Sequence, residues 1–283
     1  MSDTNYVSYT KSPASIKKQL ETLESRGCII NDREYAEKCL TRINYYRLAH
    51  YFAPFRESKG RYAEGTTFEA VMKIYDFDRC LRRLIMSYLE EIEVYFRALV
   101  SNYHAMKYGA LGYLNEASFD NRHNHPAFIS KIDRLVESNV KEDFIIHHKN
   151  KYGGVMPLWA VTELFSFGTL AYFYADMKEP DQKEIADKYF GLNYRCIENR
   201  LMCMSDLRNA CAHYSRLYGN PFRDAPKIAD DFKFPPDGTL KSYLVAARSL
   251  YHDKDEWDRE FVGAFDELVQ KYDMADKLSA YGY

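Results

Sequence analysis

The segment Asp206-Leu-Arg-Asn-Ala-Cys-Ala-His213 holds side chains that can do chemistry together. An imidazole exchanges protons near neutrality, so His213 can take a proton from a hydroxyl or return one to a leaving oxygen. Arg208 carries a planar fork of donors that fits phosphate oxygens. The two suit cleavage of RNA, in which the ribose 2′-hydroxyl attacks its own phosphodiester: His213 moves the proton and Arg208 holds the pentacoordinate phosphorus. This scheme asks for no metal and no cofactor. Asn209 can orient the imidazole or bond the phosphate, and Arg216 can hold a neighbouring phosphate.

Read as helix, Asp206, Asn209, His213 and Arg216 fall at i, i+3, i+7 and i+10 and form one polar stripe, with Leu207, Ala210 and Cys211 as packing beside it. Arg208 leaves the axis about 140° from His213 and must reach back along its own length. Arg97 and His104 repeat the spacing loosely, but Ala98 follows that arginine in mostly apolar surroundings, whereas polar Asn209 follows Arg208.

The elements around the segment read as helical throughout. Ser12-Pro13 predicts a helix start, with Pro13 in the first helical position and Gly27 closing the segment. Asp32 predicts the cap of a second helix, and the aromatic run NYYRLAHYFAPF ends where Pro54 forbids further helix. From Thr67 to Tyr108 no Pro or Gly interrupts a helical period through Val71, Ile74, Leu81, Ile85, Ile92, Phe96 and Leu99, a spine of about 60 Å if unbroken. Pro126, Pro157 and Pro180 stand at helix heads, and Asn193 precedes the helix that carries the motif. After Leu217 the chain turns irregular, then resumes in two amphipathic stretches, Leu240 to His252 and Glu256 to Lys277. No period-2 strand and no internal repeat is visible.

Hydrophobic residues make up 46% of the 283 and aromatic ones 16%, which is ample for a packed core. A net charge of -2, from 39 basic and 41 acidic side chains, removes a global attraction for nucleic acid, so an RNA site must be a local basic patch. Six scattered cysteines without a Cys-x-x-Cys pair read as reduced thiols. The first residues lack the apolar core of a signal peptide, and no apolar run approaches the roughly 18 residues of a membrane span. The expectation is a soluble, cytoplasmic protein with no membrane partner.

Other clusters have plainer readings. His123, His125, His147 and His148 lack a partner at metal-ligand spacing and read as surface histidines. Glu90, Glu91 and Glu93, beside Arg82, Arg83 and Arg97, read as charges that support a long helix. Glu163, alone among apolar residues, either pairs with an arginine in the core or supports the site. Tyr45, Tyr46, Tyr51, Phe52 and Phe55, mixed with Arg42, Arg47 and Arg56, can stack bases and bind phosphate, with Tyr46 and Arg47 the best placed, or can pack the first helices.

The segment RNACAH resembles the Arg-Asn-x-x-x-His signature of HEPN-domain ribonucleases. INYYRLAHYFAPF, the long block from Thr66, PLWAVTELFSFGTL and LRNACAHYSRLYGNPF are similar to blocks of abortive-infection proteins of the AbiD/AbiF type within that superfamily. The likeness covers most of residues 12 to 222. It implies an all-α, HEPN-like helical bundle over residues 61–222, an N-terminal helical unit over 1–60 and a C-terminal helical extension over 223–283. It also implies a homodimer in which two motifs build one metal-independent endoribonuclease site from Arg208, Asn209 and His213; Asp206, Arg97 and Glu163 read as structural or site-supporting residues. The implied role is bacterial antiviral defence, as a toxin restrained by a protein inhibitor or a noncoding RNA. A noncatalytic RNA-binding or regulatory protein is the alternative from another class, and a dimerising scaffold a third.

Overall fold

The computed structural model describes residues 12–57 and 60–283. The reading of the extreme N-terminus as leaderless falls on residues 1–11 and lies outside them. Among the described residues every regular element is helical, with three isolated bridges and no strand. No helix among the described residues is long and apolar enough to cross a membrane.

The chain divides into two compact units between Arg79 and Cys80. In the first, α1 (Ile16–Ser25), α2 (Arg33–Arg42) and α3 (Tyr45–Phe52) precede the start of the spine, α4 (Phe68–Tyr108). The first helix starts later than Pro13 predicts: Ser15 is its cap and accepts from the Lys18 amide, which leaves Pro13 ahead of the helix. Asp32 caps α2 as expected, accepting from the Tyr35 amide at 2.9 Å. The α4 start is tied down within this unit. Glu69 accepts from the amides of Asn31 and Asp32, and Tyr51 donates to buried Asp78 at 2.6 Å. These ties hold the start of α4 to the helices before it, within the first unit.

The second unit is built on the rest of α4. Leu81, Ile85, Leu89, Ile92, Phe96 and Val100 are buried at i, i+4 and i+3 steps, while Arg83, Ser87, Glu90 and Val94 stay outside. That one-sided pattern gives the helix an apolar stripe to pack by. There follow α5 (His125–Ser138), α6 (Asp143–Tyr152), the short α7 (Leu158–Val161), α8 (Phe167–Asp176), α9 (Glu179–Ile185) and α10 (Tyr194–Ala212). Pro126 and Pro180 occupy first turns and Pro157 the cap position, as their fixed φ and missing N–H favour. Asn193 caps α10, accepting from the Arg195 amide at 2.9 Å.

Packing centres on α10, which lies against α8 and against α11 (Leu240–Leu250). Gly168 lets α8 approach closely: a Cβ there would stand 3.1 Å from the Ser205 hydroxyl. Short α12 (Lys254–Glu256), a π-turn at Trp257–Phe261, α13 (Val262–Lys271) and a 3₁₀ helix at Ala275–Tyr281 complete the chain. Residues 223–283 therefore belong to the same unit as the motif helix. The Arg200 side chain, fully buried, explains the attachment. Its guanidinium forks onto Asp231 at 2.6 and 2.8 Å and also donates to the Ser249 hydroxyl and the Lys227 carbonyl. One residue earlier, Asn199 accepts from the Lys227 amide.

Candidate active site

The motif occupies the last turn of α10. Leu207 and Cys211 are buried, which turns Asn209 and His213 outward, and Arg208 lies between the two faces with its side chain 36% exposed. His213 caps α10 one residue past its end at Ala212, at φ -89° and ψ 9°, and its amide still bonds the Asn209 carbonyl. The next residue, Tyr214, stands in the left-handed region at φ 59°. Its amide bonds the Cys211 carbonyl at 3.1 Å, and the Ser215 amide bonds the Ala210 carbonyl at 2.8 Å. This pair of bonds closes a helix in the Schellman manner, with tyrosine where glycine is usual. The stop presents the imidazole, exposed, at the mouth of the helix.

That stop corrects the expected stripe. Arg216 lies in irregular chain after the helix end, so the i+10 relation to Asp206 does not hold. Leu217 is only 3% exposed and faces the core, whereas Tyr214 is 64% exposed.

Arg208 is held from α4. Its Nε stands 4.0 Å from Oε2 of Glu93, and its Nη1 donates to Oδ1 of Asn209 at 3.4 Å. Glu93 in turn accepts from Arg97 at 2.9 Å, and Arg97 donates to the Phe165 carbonyl at 3.0 Å and pairs with Glu163 at 3.5 Å. Burial pushes the Glu93 carboxyl above the usual range, against the pull of Arg97 and Arg208. The chain Arg208–Glu93–Arg97–Glu163 thus joins the motif to α4 and to the turn before α8. Glu93 belongs to this site, although its i+4 spacing to Arg97 reads as ordinary helix support. The crossing of α4 past α10 is what the local spacing could not show. Glu163 pairs with an arginine as expected, but at the surface, with its side chain 57% exposed, rather than in the core.

The remaining candidates divide. Asp206, on the outer face of α10, has its carboxyl raised by partial burial and by Asp224 beside it, which suits a supporting role and not a phosphate contact. Tyr46 and Arg47 lie on α3 in the first unit, where Tyr46 is 75% exposed with its ring edge-on to His50. His104, the look-alike partner of Arg97, is fully buried among Tyr108, Phe119 and Phe173, and burial pushes it down to about 4. It is a core residue. Among the described residues, no group of three or more His, Cys, Asp or Glu side chains is arranged to hold a metal ion.

The architecture is thus that of an all-α protein whose exposed Arg-Asn-x-x-x-His turn is buttressed by a half-buried ion-pair chain. Residues 38–219 match the Abi-like protein family, and the chain belongs to it, which points to a part in abortive infection. No curated protein and no solved structure matches the chain.

Proposed function

We propose that the protein is a HEPN-type endoribonuclease acting in abortive infection, with His213 as general acid/base and Arg208 as the phosphate-binding group. The observation that carries this reading is the disposition of the motif. His213 is presented at an exposed helix end, while Arg208, half-exposed, is steadied by Glu93 rather than neutralised by a tight fork. A guanidinium with a 4.0 Å partner keeps donors for an incoming phosphate.

In the proposed step the 2′-hydroxyl loses its proton to an imidazole and its oxygen attacks phosphorus. The bond to the 5′-oxygen breaks, and that oxygen takes a proton from a second imidazole. The products are a 2′,3′-cyclic phosphate and a 5′-hydroxyl end. Arg208 bears the added charge of the pentacoordinate phosphorus, and Asn209 orients the site. The motif supplies one histidine, so a homodimer would bring the second, His213 of the other copy, to complete the acid–base pair. Restraint by a protein inhibitor or noncoding RNA belongs to the same proposal.

The test uses purified protein and oligonucleotides. Arg208→Ala should lose cleavage, and Arg208→Lys should restore little of it, because an ammonium cannot reproduce the planar fork. DNA, and RNA carrying 2′-O-methyl at the cut site, should resist, since neither has the internal nucleophile. Robust cutting of single-stranded DNA would overturn the scheme. RNA binding without cleavage by the wild type would leave the noncatalytic RNA-binding reading in its place.

A further inference from the structure

Between α4 and α5 the loop turns back on itself and brings two histidines together. His123, its side chain fully enclosed, points Nδ1 at Oδ2 of Asp176, the last residue of α8, at 2.8 Å. Its Nε2 faces Nδ1 of His125 at 3.3 Å, and Nε2 of His125 faces the Leu114 carbonyl at 3.1 Å. Phe119 stacks on the His123 ring with centroids 4.2 Å apart, and Phe128 of α5 meets it edge-on. The loop backbone is tied to α8 as well, the Asp120 amide bonding the Asp176 carbonyl at 2.9 Å. His123 was expected at the surface; the stacked rings bury it instead.

Each of the three contacts needs one proton. A carboxylate and a backbone carbonyl close the two ends, and neither brings one. Two neutral imidazoles carry two ring protons between them. If His123 donates to Asp176 and His125 donates to Leu114, the inner nitrogens meet as two lone pairs at 3.3 Å. If His125 donates to His123 instead, its other nitrogen meets the carbonyl oxygen as a lone pair. Every neutral arrangement leaves one contact as two facing lone pairs: at the enclosed His123 ring an unmade hydrogen bond costs about 1–3 kcal/mol, and at the exposed edge of His125 it sets ring nitrogen against carbonyl oxygen at 3.1 Å. A third ring proton satisfies all three contacts.

We propose that His123 and His125 hold a third proton, forming an imidazole–imidazolium clasp whose charge is balanced by Asp176 and which fastens the 114–125 loop to the end of α8. The charged surroundings are consistent with this. On the loop, Arg122 is engaged by Asp120 at 2.8 Å, and Glu198 and Tyr194 of α10 act on Arg122 from beyond. From α4 the neighbouring group is His104, driven neutral by burial and in ring contact with Phe119. Asp176 is then the acid in direct contact with the pair. Because α8 packs on α10, the clasp supports the same helix pair that carries the motif. The inference does not depend on the proposed chemistry at His213. Its sign is definite: the clasp is complete while the third proton is bound and loses one contact when rising pH removes it.

Nitrogen NMR of histidine-labelled protein tests the proton count directly. The wild type near neutral pH should show three protonated ring nitrogens among the four of His123 and His125, the inner two sharing the remaining lone pair. Asp176→Asn supplies a decisive second arm, because the asparagine amide can itself donate to Nδ1 of His123. In that variant all contacts close with two ring protons, so the count should fall from three to two with the fold retained. Amide exchange at Asp120 and His123, corrected for intrinsic base catalysis, should rise with pH in the wild type and not in the variant. Two ring protons in the wild type would overturn the proposal. So would ring signals that change on adding EDTA, which would place a metal ion between the two nitrogens.

Discussion

At the scale of single residues, Glu93 decides whether Arg208 is aimed or merely present. Glu93→Gln keeps the shape and removes the charge that steadies the guanidinium. A half-buried ion pair of this length is worth about 1 kcal/mol, so RNA cleavage should fall roughly fivefold while Arg208→Ala falls much further. The pH dependence carries a sign. Burial holds the folded-state carboxyl above its unfolded value. Its contribution to stability is therefore fullest at low pH and is lost as pH rises through the folded value. Urea unfolding of wild type and Glu93→Gln should show the wild type gaining relative stability toward acid, and a gap that widens toward alkali in favour of the wild type would contradict the assignment. Tyr214 gives a second reading at this scale. Left-handed backbone costs a non-glycine residue about 1 kcal/mol, so Tyr214→Gly relieves that strain, and its net effect in urea unfolding is that gain less what the tyrosine side chain contributes. A loss of stability in that variant would show that the ring's contacts outweigh the strain.

At the scale of elements, the motif helix is fixed at both ends and along its back. Asn193→Ala removes the cap and should cost about 1 kcal/mol. Arg200→Ala strands Asp231 and the Lys227 carbonyl and should cost about 3 kcal/mol, read from chemical denaturation. An unchanged midpoint would mean that the extension is not clamped through Arg200. Most of this was legible beforehand: the uninterrupted period of α4 and the signals at Asp32, Pro126, Pro157, Pro180 and Asn193 each mark a helix by a local mechanism. Two things were not. The helix end after Ala212 has no glycine to announce it, so Arg216 read as part of a stripe that the Tyr214 turn cuts short. Glu93, Glu163 and the enclosed His123 depend on which helices cross, and crossing is a property of the packed chain rather than of spacing along it.

At the scale of the whole molecule, the account needs two copies, because one exposed histidine cannot serve as both base and acid without a second group. Light scattering should report about twice the 33.3 kDa of one chain at assay concentration. A fully active protein that stays monomeric would remove the two-imidazole scheme. The central claim, that His213 cuts RNA through the 2′-hydroxyl, is tested most directly by incubating wild type and His213→Ala with mixed RNA in EDTA and identifying the product ends. The account predicts 2′,3′-cyclic phosphate and 5′-hydroxyl ends from the wild type, with the rate lowered roughly 10²- to 10⁴-fold in a folded His213→Ala protein. Cleavage that appears only when metal is added, or an undiminished rate in the variant, would contradict it.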